Sequence, residues 1–354
     1  MLKKIRRRLT EHGPITFRQW MEVALYDPTY GYYAADIKRV GMGGDFITSI
    51  SIGRCFGLLL ARRLAGFWKE CGKPDTFHII EPGAHDGSLC ADILDEARAF
   101  CPEFYQAAHY HLIETTPALR RAQEKKLGNS LSGKYTTHTA LSDIHGLHGA
   151  VLSNELIDAF PVDLIRFEHG QWWQLLVEET QEGPQWLPTQ CQAPELRGFC
   201  QSLGTSFPEG YTTEYNPGIT RFTQEASAAL AKGLFITIDY GYHADDYYHP
   251  DRCTGTLQTY HKHQKSDNPL ERPGEIDITC HVDFTRLTTA AESAGFESPT
   301  LSPQASYLTQ HARPWLLSLE TSPTDETPAL LRQFQTLTHP AMLGTKFSVL
   351  EMQK

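Results

Sequence analysis

Phe77-His78-Ile79-Ile80-Glu81-Pro82-Gly83-Ala84-His85-Asp86-Gly87-Ser88-Leu89 is the stretch that decides the fold. An apolar run ends in an acid. A small-residue loop follows, and Ser88-Leu89 opens a predicted helix that runs to about Phe100. A parallel α/β sheet makes its ligand crevice in this way, at the carboxyl end of a strand. The loop alone is a weak signal, and its meaning depends on what the chain places beside it.

Further along, Tyr110-His111-Leu112-Ile113-Glu114 reads as a second strand ending in an acid, with a helix over Pro117–Lys126 behind it. Glu114 follows Glu81 at a longer interval than the roughly 20 residues usual for a ribose-binding acid in dinucleotide folds. A long first helix accounts for the difference. Gly149–Glu155 is a third strand, ending in Asn154-Glu155, and Leu234–Gly241 a fourth, ending in Asp239-Tyr240-Gly241. Four apolar strands ending in acidic or amide groups, with helices between, predict an α/β fold. Its sheet is doubly wound and mostly parallel, with the ligand site at its carboxyl edge. Strands near Phe296–Leu301 and Lys346–Glu351, with a helix around Ala329–Thr336, are expected to close the sheet as an antiparallel edge.

Before the core, Thr16 is placed to cap a helix through Phe17, Trp20, Met21, Ala24 and Leu25, which Asp27-Pro28 stops. Tyr26, Tyr30, Tyr32 and Tyr33 crowd around Gly31 and either pack a subdomain edge or face a substrate. Gly41-Met42-Gly43-Gly44-Asp45 makes a loop that can approach a ligand closely, and a helix is expected over about Ile52–Cys71. Residues 160–232 are too long for a simple connection. They hold a predicted hairpin of Leu164–Phe167 and Trp172–Val177 around His169-Gly170, a Pro- and Gln-rich run over 181–194, and a helix ending near Ala231 with Gly233 as cap. Residues 242–283, rich in His, Asp and Tyr, read as a lid, and Asp283 is placed to cap a helix over Phe284–Ala294. The expected organisation is an N-terminal helical region with a donor-covering loop (1–75), a core (76–160 and 233–354) and an inserted substrate or cap subdomain (161–232).

The net charge of −10 argues against broad non-specific nucleic-acid binding, which needs a cationic face, and leaves only a local basic patch open. No apolar run approaches the roughly 18–20 residues that span a bilayer, so no membrane insertion is expected. The eight cysteines are scattered without a C-x-x-C pair and read as reduced thiols of a cytoplasmic protein. The basic start, Met1 to Leu9, is either a solvated helix start or an organelle presequence, and only the latter would place the chain in the mitochondrial matrix. His261, His263, His281 and Cys280 fit no zinc spacing, so no metal is expected. Oligomeric state stays open, a homodimer included.

S-adenosylmethionine needs a ribose-binding carboxylate, close backbone contact and an acid at its amino-acid end, and an acceptor facing its sulfonium. Glu114 meets the first need, the 81–88 loop with Glu81, Gly83 and Gly87 the second, and Ser153-Asn154-Glu155 lies where the acceptor would be. The loop has no Lys or Arg, unlike a P-loop, which argues against ATP. NAD is the runner-up, although the loop is not G-x-G-x-x-G. For an arginine acceptor, Glu155 and Asp158, about one helical turn apart, are candidates to hold the guanidinium fork, with rate supplied by orientation and local electrostatics. The alternative is a helix N-terminus decorated with acids.

The chain resembles the MidA-like methyltransferases. The resemblance covers nearly the whole chain and rests on Tyr26-Asp27-Pro28-x-x-Gly31-Tyr32-Tyr33, Gly44-Asp45-Phe46-Ile47-Thr48-Ser49, Glu81-x-Gly83, Leu112-Ile113-Glu114, Asn154-Glu155-Leu156-Ile157-Asp158-Ala159-Phe160-Pro161-Val162 and Ile238-Asp239-Tyr240-Gly241. It continues through Gly255-Thr256-Leu257, Tyr260, His263 and Pro273-Gly274-Glu275-x-Asp277-x-Thr279-x-His281-Val282-Asp283-Phe284. It implies a class I, Rossmann-like methyltransferase fold with S-adenosylmethionine in the Gly loop. The Gly44-Asp45-Phe46 loop would fold over the donor, with Asp45 and Thr48 as contacts. The family includes a mitochondrial complex I assembly factor that symmetrically dimethylates an arginine of a complex I subunit. The implied partner is therefore a protein, a respiratory-complex or other assembly subunit. This chain has His85 where the family's loop has glycine, Ile50-Ser51 in place of Pro-Glu, Asp163 in place of histidine and Gln258 in place of arginine. These departures motivate a second reading, a non-catalytic assembly or binding protein on the same scaffold.

Overall fold

The computed structural model describes residues 1–35, 48–261, 264–266 and 268–354. The chain divides into two compact units. One comprises Met1–Ile37, Ile157–Arg221 and Tyr242–Arg286, the other Lys38–Leu156, Phe222–Gly241 and Leu287–Lys354.

The second unit is built on a sheet of β1 (Phe77–Pro82), β2 (Ala108–Ile113), β3 (Tyr135–His138), β4 (Leu147–Asn154), β5 (Leu230–Tyr242), β6 (Glu297–Pro303) and β7 (Phe347–Gln353). Their order across the sheet is β6-β7-β5-β4-β1-β2-β3. Strands β5, β4, β1, β2 and β3 are parallel, and β7 runs antiparallel to both β5 and β6. Buried on both faces, the central strands read as unbroken apolar runs such as Ala150-Val151-Leu152. From β1 the chain builds outward to β2 and β3, then returns to lay β4 on the other side of β1. That reversal is the switch point outside which such sheets bind ligands.

Glycines let these strands close up: a Cβ on Gly149 would collide with His78 O, and one on Gly233 with Gly149 O. Gly233, expected as a helix cap, therefore lies inside β5, because the ladder to β4 reaches back to Leu230 opposite Leu147. The preceding helix ends at Ala229. One face of the sheet packs on α1 (Cys55–Glu70) and α2 (Ser88–Phe100), whose Phe56, Leu60, Leu64, Ile93 and Leu94 share a core with Ile79, Leu112, Leu152 and Ile236. Strands β1, β2 and β3 also carry a histidine ladder: His78 Nδ1 to His111 Nε2, and His111 Nδ1 to His138 Nε2, are each 2.9 Å. A helix over Gln304–Thr321, which contains Pro314, also went unread in the sequence.

In the first unit a helix at Leu2–His12 buries Ile5 and Leu9, and Thr16 and Gln19 close a reciprocal capping box on the helix Phe17–Tyr26. The strands Asp163–Glu168 and Gln171–Thr180 form the expected hairpin, with Glu168 opposite Gln171. His169 and Gly170 between them both have positive φ, as a two-residue hairpin turn of this kind requires. The Pro- and Gln-rich run is ordered as a third strand, Gly183–Gln190, paired to the second from Thr180↔Gly183 to Trp173↔Gln190. Its prolines are tolerated because it lies at the sheet edge.

The described residues of 242–283 join a core, where the sequence predicts a lid. Their sparse apolar residues Leu270, Ile276, Ile278 and Cys280 pack into one core with Trp20, Met21, Leu25, Val162 and Leu175. The buried Glu214 carboxylate holds this segment by accepting from the backbone N–H groups of Thr256 (2.7 Å) and Leu257 (2.9 Å) and from Tyr247 Oη (3.0 Å). A Cβ at Gly255 would fall on the same carboxylate, so Gly255-Thr256-Leu257 has an architectural role.

Candidate functional site

At the carboxyl end of β1, Glu81 is buried, and its Oε2 accepts a 2.7 Å hydrogen bond from Tyr110 Oη on β2. Burial pushes its carboxyl up to about 8, against the pull of the Tyr110 hydrogen bond. The chain then turns through Gly83 and Gly87, both with positive φ. The N–H groups of Gly83 and Ala84 donate to Ile113 O at 3.0 and 3.2 Å, stitching the loop to the end of β2. A Cβ at Gly83 would lie 2.8 Å from Leu156 Cδ1, so the loop keeps a cradle that a side chain would fill. Gly87 is the residue before α2.

His85 stands in the same turn with φ 45°, the left-handed conformation that glycine adopts at least cost. The loop keeps that turn with histidine in place. Its carbonyl accepts from Gln123 Nε2 at 2.7 Å, an anchor supplied by α3 (Pro117–Leu127). Asp86 accepts from Ser88 N and Oγ and pairs with Lys126. Burial alone would raise its pKa, but the nearby His85 ring and the hydrogen bonds from Lys126 and Ser88 outweigh it and hold the carboxyl well below the usual range.

Glu114 ends β2 as Glu81 ends β1, close enough for the two charges to influence each other. It is buried, which raises its pKa, while Thr116 N–H donates to its Oε1 at 2.8 Å. At the end of β4, Asn154 Nδ2 (3.0 Å) and Ser49 N–H (3.1 Å) both donate to Glu155 Oε1. Asn154 Oδ1 is buried without a hydrogen-bond partner among the described residues. Glu155 itself sits at φ 48°, a conformation a non-glycine residue holds only where its surroundings fix it, commonly at functional sites.

Thus Glu81, Gly83, Gly87, Glu114, Asn154 and Glu155 come together along the carboxyl edge of the second unit. Gly44 and Asp45 lie outside the described residues. Thr48 is engaged in its own turn: its Oγ1 accepts from Ser51 N–H, and Ser51 Oγ accepts from Thr48 N–H. This reciprocal box closes the turn where the family has an acid. Ser49, missed in the sequence, ties the end of that segment to Glu155 and, through its hydroxyl, to Gln304 Oε1 at 3.0 Å.

Asp158 belongs to the first unit, in a 3-10 turn over Ile157–Ala159. Glu155 and Asp158 are therefore not successive positions on one helix, because the left-handed backbone at Glu155 breaks it. Asp158 is buried and raises the pKa of Tyr33, after burial and the charges of Asp277 and Tyr26. Tyr33 Oη donates to Asp277 Oδ1 at 3.0 Å, and Tyr26 Oη to Ala159 O at 2.8 Å. Of the tyrosine cluster, Tyr26, Tyr32 and Tyr33 pack on the core, Tyr33 also against the buried Asp277, while Tyr30 is exposed. Asp163, where the family has histidine, accepts from Gln174 Nε2 and pairs with Arg18 at 3.4 Å. Among the described residues no His, Cys, Asp and Glu side chains are arranged to hold a metal ion.

Residues 59–302 match the model of a family described as "Putative S-adenosyl-L-methionine-dependent methyltransferase". The chain belongs to this family. Its donor is S-adenosylmethionine and its chemistry is methyl transfer. It is 28% identical, with a TM-score of 0.89, to a Burkholderia thailandensis protein crystallised with S-adenosyl-homocysteine bound, covering 100% of this chain and 91% of that one. It is 27% identical to the Drosophila melanogaster mitochondrial protein arginine methyltransferase NDUFAF7 homolog, over 99% of this chain and 84% of the relative. It is 26% identical to Danio rerio NDUFAF7, over 98% and 85%.

The residues fit the family's donor. Two buried carboxylates flank a turn whose glycines leave space, and an orphaned amide oxygen waits for a donor beside them. Tyr110 and Gln123 complete the cradle and were not read from the sequence. Tyr110 could have been found by aligning β1 with β2, since it pairs with Ile79, two residues short of Glu81.

Proposed function

We propose that this chain transfers the methyl group of S-adenosylmethionine to an arginine side chain of a protein. The observation that carries the reading is the pair of buried acids, Glu81 and Glu114, ending neighbouring parallel strands on either side of the Gly83–Gly87 turn. Glu114 would hold the ribose hydroxyls, and Glu81 with the backbone at Gly83 and Gly87 the amino-acid end. Gly44, Asp45 and Thr48 would cover the donor. When bound, the donor supplies an electrophilic methyl on a sulfonium. Asn154 and Glu155 would orient the acceptor nitrogen. Asp158, buried in the first unit, is kept as a further acid proposed for a guanidinium acceptor. The names of the curated relatives support arginine as acceptor.

The partner is a protein and, as the family resemblance implies, a subunit of a respiratory or other assembly. The compartment we infer is the cytoplasm, with the mitochondrial matrix, where the relatives' names place them, as the alternative. The packing of Ile5 and Leu9 and the Arg6–Glu179 pair support a structural role for the basic start. Among the described residues no helix is long and apolar enough to cross a membrane.

The test is transfer from methyl-labelled donor into a lysate lacking this protein, followed by hydrolysis to amino acids. Label in methylarginine that requires Glu155 supports the proposal. Label in another residue, or none, overturns it.

A further inference from the structure

Cys191 lies between the strand Gly183–Gln190 and the helix Pro194–Leu203, and Cys200 lies within that helix. Their sulfurs are 3.8 Å apart. A disulfide needs about 2.05 Å, so the two sulfurs must approach by roughly 1.75 Å from their 3.8 Å contact. We propose that Cys191 and Cys200 are a reversible dithiol site that reacts with a low-molecular-weight disulfide such as glutathione disulfide.

The two thiols are unequal in the way the exchange needs. Cys200 is buried among Phe199, Tyr211, Trp172 and Ile165, whereas Cys191 is only partly buried at the edge of that cluster. The Cys200 hydrogen bond lowers the Cys191 thiol pKa, against the effect of burial, and the same contact raises that of Cys200. The less buried cysteine is thus the one favoured as thiolate, the attacking form. The Cys191 thiolate attacks one sulfur of glutathione disulfide. The S–S bond breaks, and one glutathione leaves carrying the proton that Cys191 gave up. Cys200 then loses its proton and attacks the Cys191 sulfur of the mixed disulfide, releasing the second glutathione. The protein loses two hydrogens, and glutathione disulfide is reduced to two thiols. The bond would tie the helix to the strand before it, and excess thiol would reverse it.

The test uses the full chain with glutathione disulfide, intact mass and peptide mapping. The expected product lacks two hydrogens, yields a Cys191–Cys200 cross-linked peptide, and returns to the starting mass with dithiothreitol. Cys200→Ser should accumulate one glutathione on Cys191, and Cys191→Ser should leave Cys200 unmodified. The exposed Cys253 is the internal control for reagent access. Glutathione on Cys253 with no Cys191–Cys200 link, or a stable adduct on Cys191 of the unmutated chain, would overturn the proposal.

Discussion

Glu155→Ala would remove the oxygen that accepts from Ser49 N–H at 3.1 Å and from Asn154 Nδ2 at 3.0 Å. Hydrogen bonds to a charged group contribute about 1.5–3 kcal/mol each, and a buried donor left unpaired costs about 1–3 kcal/mol. Ser49 is fully buried and loses its partner outright, whereas the half-buried Asn154 can turn to water. The expected loss is therefore about 2–4 kcal/mol. Glu155→Gln keeps an acceptor oxygen and loses only the charge, so about 1 kcal/mol is expected. The strained φ at position 155 is common to both and cancels. Denaturant unfolding measures the stability, and label transfer from methyl-labelled donor measures the rate. If the carboxylate charge orients the acceptor, both variants should lose roughly 10²-fold or more in rate, as lost electrostatic stabilisation does. Glu155→Gln would then be nearly stable but nearly inactive. A Glu155→Gln protein with unaltered rate refutes the catalytic role, and a fully stable Glu155→Ala refutes the account of its contacts.

Burial pushes the Glu81 carboxyl from its ordinary 4.5 up to about 8 in the folded state, which therefore binds the extra proton between these limits. Its contribution to stability is fully present below the lower value and is lost as pH rises through the upper one. Stability of the wild type should therefore fall more steeply than that of Glu81→Gln between pH 5 and 8, which denaturation at a series of pH values measures. A cationic ammonium beside Glu81 would favour its charged form. Ligand binding at neutral pH should then release a proton, and equal binding enthalpies in buffers of different ionisation enthalpy would contradict this. His111 behaves oppositely: burial, with His78, His109 and His138 beside it, pushes it down to about 3. Its contribution is present above the unfolded value of about 6.5 and is lost as pH falls. His111→Gln should unfold with a shallower acid dependence than wild type between those values, and parallel curves would sink that reading.

Much of the sheet was legible because β1, β2, β4 and β5 are buried on both faces, which makes each an apolar run with a polar end. Strand β3 was not, since Tyr135-Thr136-Thr137-His138 is a polar edge strand that only its pairing to β2 reveals. The final pair was found, but β7 inserts between β5 and β6, so β6 alone is the edge on that side. Polarity misled at 242–283, where a few apolar residues were enough to join a core. Glu81, Gly83, Gly87, Glu114, Asn154 and Glu155 were legible as strand ends and turn glycines. Ser49, Tyr110 and Gln123 were not, because each reaches the cradle from an element whose direction only the tertiary fold sets.

Calorimetric titration with S-adenosyl-homocysteine tests the cradle most directly. The wild-type chain should bind one molecule. Glu114→Ala should weaken binding at least tenfold, or about 1.4 kcal/mol. Gly83→Ala should weaken it as well, since its Cβ would press on Leu156 at φ 72°. A wild-type chain that takes up no ligand at millimolar concentration, or a Glu114→Ala chain that binds as tightly as wild type, would contradict the assignment of this edge as the donor site.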